Sequence, residues 1–120
     1  MATRRSNKIS PAPLEKAVVA QILDYLRLRR IFAWRNNTGG VVDARGHFYR
    51  YGAVGSPDII GVLSKNGRFL AIEVKREGQR PSARQTAFLG QLRAFGALVV
   101  VAYNLEDVQK ALSEGGEDKC

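Results

Sequence analysis

Cysteine is all but missing from this 120-residue chain: the only one is Cys120, the last residue. That excludes a disulfide scaffold and a cysteine-based zinc centre, and makes a reducing cytoplasm the expected setting. Histidine is equally scarce. His47 stands alone, with no second imidazole at ligand spacing, and reads as a surface residue. Long apolar stretches are missing too, since the longest run is the seven residues 97–103, against roughly 20 for a membrane-spanning helix. The basic start MATRRSNKIS has no apolar segment behind it and does not read as a secretory signal. No Ser-His-Asp set, Walker loop or zinc-finger spacing is present.

Acidic residues are in short supply: 11 Asp and Glu face 19 Lys and Arg, giving a formal net charge of +8. Most of the excess lies in residues 1–50, and most of it is arginine, whose planar fork suits phosphate. Such a field attracts polyanions and inclines the chain towards a nucleic-acid partner, although simple solubility would also account for it. What remains is ordinary for a globular protein, at 45% hydrophobic and 25% charged residues. One domain with one core fits this length.

Residues 1–9 read as a mobile basic arm, 10–112 as the folded domain, and 113–120 as a frayed tail. Ser10-Pro11 has the form of a helix start. Leu14, Val18, Ile22 and Leu26 then recur every four residues to about Arg30, widened by Val19, Leu23 and Tyr25. Glu15 points partly towards that apolar stripe; a first-turn acid also simply suits the helix dipole. Ile31–Arg35 is β-prone, with Trp34 expected in the core. Asn36–Gly40 is a loop signal, and Val41–Gly52 an exposed ribbon or long loop without clean periodicity. Asp58–Leu63 and Arg68–Lys75 are strands joined by a Ser64-Lys65-Asn66-Gly67 turn. Ser82–Gln85 has the form of a capping box opening a helix to about Phe95, closed by Gly96. Residues 97–103 read as a strand covered on both faces, and Leu105–Leu112 as a last helix capped by Asn104. The order predicts an α/β fold, an αβββαβ core with a mixed sheet flanked by helices and an extra C-terminal helix.

Alternation sends Phe69, Ala71, Glu73 and Lys75 to one face of their strand and Leu70, Ile72 and Val74 to the other. Folding the hairpin back about Lys65 and Asn66 brings Asp58 opposite Glu73. Two carboxylates and an ammonium therefore meet at one open end of the sheet. Taken singly, each reads as a cross-strand charge pair worth a few tenths of a kcal/mol to about 1. Together they suit a weakly held Mg²⁺ that keeps several waters and accepts a phosphate oxygen, with the lysine offsetting charge beside it.

Pro57-Asp58 followed by Glu73-Val74-Lys75 resembles the PD-(D/E)XK nuclease signature. The wider set, Glu15, Gly55-Ser56-Pro57-Asp58, residues 67–75, Ser82 and Gln85, resembles its VRR-NUC branch in the phage and bacterial stand-alone form, over residues 12–103. The resemblance implies a metal-dependent endodeoxyribonuclease. Asp58, Glu73 and the main-chain carbonyl of Val74 would bind Mg²⁺, with Mn²⁺ as a substitute. Lys75 would polarise the attacking water or the scissile phosphate, and Glu15 would complete the site from the first helix. Gln85 would contact phosphate or a metal-bound water. Its spacing from Ser82 favours a helix cap equally, and the two roles are expected to exclude each other. Similar stand-alone proteins imply a homodimer that cuts four-way (Holliday) junctions in DNA repair and recombination, in the cytoplasm of a bacterial or phage-infected cell.

Arg35, Asn36, Asn37, Arg45, Arg50 and Tyr51 are candidates for DNA contact, with Arg76, Arg80 and Arg84 the stronger group beside the catalytic strand. Two alternatives of other classes stay open: a non-catalytic nucleic-acid-binding module, and a subunit that depends on a protein partner. Within the nuclease reading, flap or general duplex cleavage competes with junction cleavage.

Overall fold

A computed structural model describes residues 11–115 of the chain. The expected basic arm, the Ser10 cap and Cys120 lie outside the described residues. Helix α1 spans Pro11–Leu28 and buries Val19, Ile22 and Leu26, the residues at helical spacing. Leu14, the first residue of the expected stripe, stays exposed. The helix ends in a Schellman turn, with Ile31 N–H donating to Leu26 O at 2.9 Å and Arg30 N–H to Arg27 O at 3.0 Å. Arg30 takes the left-handed conformation that such a turn requires, at φ 61°.

The main sheet has four strands in the order β1-β4-β5-β6: β1 (Phe32–Arg35), β4 (Ile59–Val62), β5 (Phe69–Val74) and β6 (Leu98–Ala102). β4 pairs antiparallel with both β1 and β5, while β6 pairs parallel to β5, which makes the sheet mixed. Between β1 and β4 the chain leaves the sheet as a separate two-stranded ribbon, β2 (Gly39–Val42) with β3 (Phe48–Tyr51), exposed along all eight residues. Removing that ribbon leaves α-β-β-β-α-β, the expected core. Helix α2 (Ala83–Ala94) leads into β6, and α3 (Leu105–Glu114) follows it. The last helix therefore takes in Ser113 and Glu114, the first residues of the segment expected to fray.

One face of the sheet packs Ile59, Leu70, Ile72, Val74, Val100 and Ala102 against α1 and α3 in the main core. The other face carries α2 over only part of its width. Trp34 lies on that second face beside Phe32 and is 44% exposed, so it is not the core residue its sequence context predicts.

Candidate active site

The site is built where β4 begins and β5 ends. Ile59 pairs with Ile72, and continuing that antiparallel register by one residue sets Asp58 across from Glu73. The β4–β5 turn fixes this alignment. Leu63 N–H donates to Arg68 O at 2.8 Å, Gly67 N–H to Leu63 O at 2.9 Å, and Gly67 adopts φ 73°. The Asp58 side chain is oriented by the strand opposite, because Val74 N–H donates to its Oδ2 at 2.7 Å.

The loop that delivers Asp58 is tied at several points. Asn36 N–H donates to Asp58 O at 2.7 Å. Its side-chain amide donates to Ser56 Oγ at 2.8 Å and to Pro57 O at 2.9 Å. Asn36, read from sequence as a DNA contact, is thus a fastener of the Gly55–Asp58 loop. Gly55, at φ 87°, lies so near α2 that an added Cβ would meet the main-chain oxygen of Arg84 at 3.0 Å. No sequence motif announces Asn36; the clue is that it follows the strand paired to the residue after Asp58.

Glu73 is the one buried charged or polar residue among those described, 2% exposed. Its Oε2 accepts Gln85 Nε2–H at 2.9 Å and lies 3.8 Å from Lys75 Nζ. Its Oε1 is buried and has no hydrogen-bond partner. Burial pushes its pKa up to about 8, the Asp58 carboxylate adds to the rise, and the Lys75 ammonium opposes it. Glu15 adds a further upward push from α1. It shares an open groove of about 270 Å³ with Lys75, Arg76 and Tyr103. The fold therefore brings Glu15, Asp58, Glu73, Lys75 and Gln85 together from four elements or their ends.

Gln85 corrects one expectation. Its Oε1 accepts Ser82 N–H at 2.8 Å while Ser82 Oγ accepts Gln85 N–H at 3.1 Å, completing the capping box. The nitrogen of the same amide reaches Glu73. Capping and contact with the acidic pair are not alternatives, because each uses a different end of one side chain.

Of the candidate DNA contacts, Arg76 is half-buried beside Lys75, with a buried Nε that has no partner. Arg80 is exposed ahead of α2 and Arg84 in its first turn, and Arg35, Asn37 and Arg50 are exposed on β1, the loop after it and the ribbon. Arg50 stacks over the Phe48 ring, 5.5 Å from its centroid. Tyr103, which sequence reasoning missed, closes the groove by donating its hydroxyl to Gln79 O at 2.7 Å.

No cluster of three or more His, Cys, Asp or Glu side chains that could hold a metal occurs among the described residues. Two carboxylates, one with a buried oxygen lacking any partner, nevertheless fit a hard divalent cation that keeps most of its waters.

A mixed sheet whose paired strand ends hold Asp, Glu and Lys beside a helix-borne Glu is consistent with a nuclease of the PD-(D/E)XK type. The VRR-NUC domain matches residues 13–104, and the chain belongs to that family. Domains of this type generally use divalent metals, and DNA is their substrate. No curated protein matches the chain. Among the described residues, no helix is long and apolar enough to cross a membrane.

Proposed function

We propose that this protein is a Mg²⁺-dependent, structure-selective DNA endonuclease that cuts four-way junctions as a homodimer in the cytoplasm. The observation that carries the hydrolytic part is the unpartnered Oε1 of buried Glu73 next to the Asp58 carboxylate. Ionising a buried carboxyl that has an unsatisfied oxygen is costly unless a cation compensates it, and Lys75, 3.8 Å away, meets only Oε2. Asp58, Glu73 and the Val74 carbonyl would hold Mg²⁺ or Mn²⁺, which supplies charge stabilisation at the phosphate and acidifies water.

Around that centre each residue has its own task. Lys75 orients the attacking water and faces the charge that builds on the phosphate. Glu15 takes part in the same groove from α1, and Gln85 holds Glu73 in place through its amide nitrogen. Arg76, Arg80 and Arg84, together with Arg35, Asn37 and Arg50, grip the DNA backbone. Water oxygen bonds to phosphorus as the bond to the 3′ oxygen breaks and that oxygen takes a proton, leaving 5′-phosphate and 3′-hydroxyl ends. Two copies suit the two-fold symmetry of a junction that 120 residues are too few to span.

The test is cleavage of a synthetic immobile four-way junction, a flap and a linear duplex, each with Mg²⁺ or EDTA, with product ends mapped. Metal-dependent cutting, fastest on the junction, is the expected result. Asp58→Ala and Lys75→Ala are each expected to lose ~10²–10⁴-fold in rate while junction binding survives. Absence of metal-dependent cutting on all three substrates would leave a binding module, and faster flap cutting would reassign the substrate.

A further inference from the structure

The sheet face that carries α2 is only partly covered. Phe32 and Trp34 stack with ring centroids 5.3 Å apart. Phe32 pairs across β1–β4 with Val62, and Val62 across β4–β5 with Phe69. Phe69 in turn shares a cavity of about 380 Å³ with Phe95, the C-cap of α2. Strand register places Phe32, Val62 and Phe69 in one row, which the Trp34 ring extends at one end and Phe95, across the shared cavity, at the other. Phe32 is 73% and Phe95 87% exposed, and the other three are partly exposed. A large apolar row of this kind, open to water, marks a contact surface.

We propose that this row is the interface between two copies of the chain. The inference rests on the dimeric part of the function proposed above and supplies its location. Size supports a second copy as the occupant. At about 200 Å² per aromatic side chain, the exposed part of the row amounts to on the order of 500 Å² of apolar surface. An interface of standard size, ~800 Å² per partner, with the ~65% apolar share of homodimer contacts, needs roughly that much.

Shape supports it as well. A second cavity of about 220 Å³, lined by Pro57, Ile60, Phe69, Phe88 and Leu92 among others, opens on the same face. A cavity of ~150 Å³ already takes a benzene-sized ring. A protruding ring and an apolar hollow of ring size on one surface are what a self-complementary two-fold contact requires. DNA is disfavoured as the occupant because Arg68, the guanidinium bordering the row, is turned back onto the carbonyls of Gly96 and Ala97, at 2.7 and 3.5 Å.

The test is the solution mass of the purified full chain, without DNA or metal, by light scattering and sedimentation. Wild type is expected at twice the chain mass of 13.2 kDa. Phe32→Glu and Phe95→Glu are each expected to halve the observed mass with an unchanged far-ultraviolet spectrum, because neither ring is buried in the monomer. Phe95→Gln, at a helix end, is the milder second variant should either fail to fold. Phe48→Glu, on the ribbon, is expected to stay dimeric. A monomeric wild type would overturn both the surface and the dimeric reading yet leave hydrolysis standing. Dimers that persist in both row variants, or that dissociate only in the ribbon variant, would overturn the surface alone. Loss of metal-dependent cutting in intact dimers would strike the nuclease reading and not the interface.

Discussion

Gln85 shows how one side chain joins local folding to chemistry. Its oxygen closes the N-terminus of α2 and its nitrogen restrains Glu73, so the helix start and the acidic pair are mechanically linked. Gln85→Ala removes both functions and is expected to destabilise the fold by ~1 kcal/mol in urea denaturation and to weaken Mn²⁺ binding in calorimetry. Gln85→Glu keeps an acceptor for Ser82 but has no proton to offer Glu73 at neutral pH. It is expected to spare stability and still weaken the metal. The cap was legible in the sequence because Ser-x-x-Gln is a local signal. The bond to Glu73 was not, because it depends on where the end of β5 meets the start of α2, a distance that no short window contains. Asn36 was misjudged for the same reason: its partners Ser56 and Pro57 lie 20 and 21 residues away.

Two elements end with the same turn and different residues. After α2, Ala97 N–H donates to Leu92 O and Gly96 N–H to Arg93 O, with Gly96 at φ 97°. The end of α1 repeats the pattern with Arg30 in the left-handed position, where a side chain costs about 1–2 kcal/mol. Arg30→Gly is therefore expected to raise stability by ~0.5–1 kcal/mol, less the greater freedom of glycine when unfolded, as read from the urea midpoint. Elements with one buried face were read well from sequence: α1, β4, β5 and α3 all lie close to their expected spans. The stretch 41–52 gave no period because the ribbon is exposed on both faces, so nothing selects apolar residues at alternate positions. Its turn is held instead by Asp43, whose Oδ1 accepts N–H from Arg45 and His47, each at 2.9 Å. Trp34 was misplaced because its four-residue strand carries no sign of which face α2 leaves open.

For the molecule as a whole, the buried Glu73 links stability to pH. Its pKa lies at about 8 in the fold against an ordinary value of 4.5. The folded chain therefore binds more protons than the unfolded one across that interval, and stability falls as pH rises through it. The melting temperature of metal-free protein is expected to drop between about pH 5 and about pH 8, more steeply than that of Glu73→Gln. Mg²⁺ or Mn²⁺ binds the ionised carboxylate and is expected to restore part of the loss at the upper end, as thermal melts with and without metal would show. An Asp58→Ala variant that melted with the same pH slope as wild type would show that the Asp58 carboxylate contributes little to the shift.

The bond from Val74 N–H to Asp58 Oδ2 has a practical consequence. An asparagine at this position can satisfy that N–H only with its carbonyl oxygen, so its amide hydrogens must turn towards Glu73. Asp58→Asn is thus expected to melt with the wild type, repel a divalent ion, and still clasp intact DNA. It would be an inert decoy, suited to freezing the enzyme on its target for structure determination.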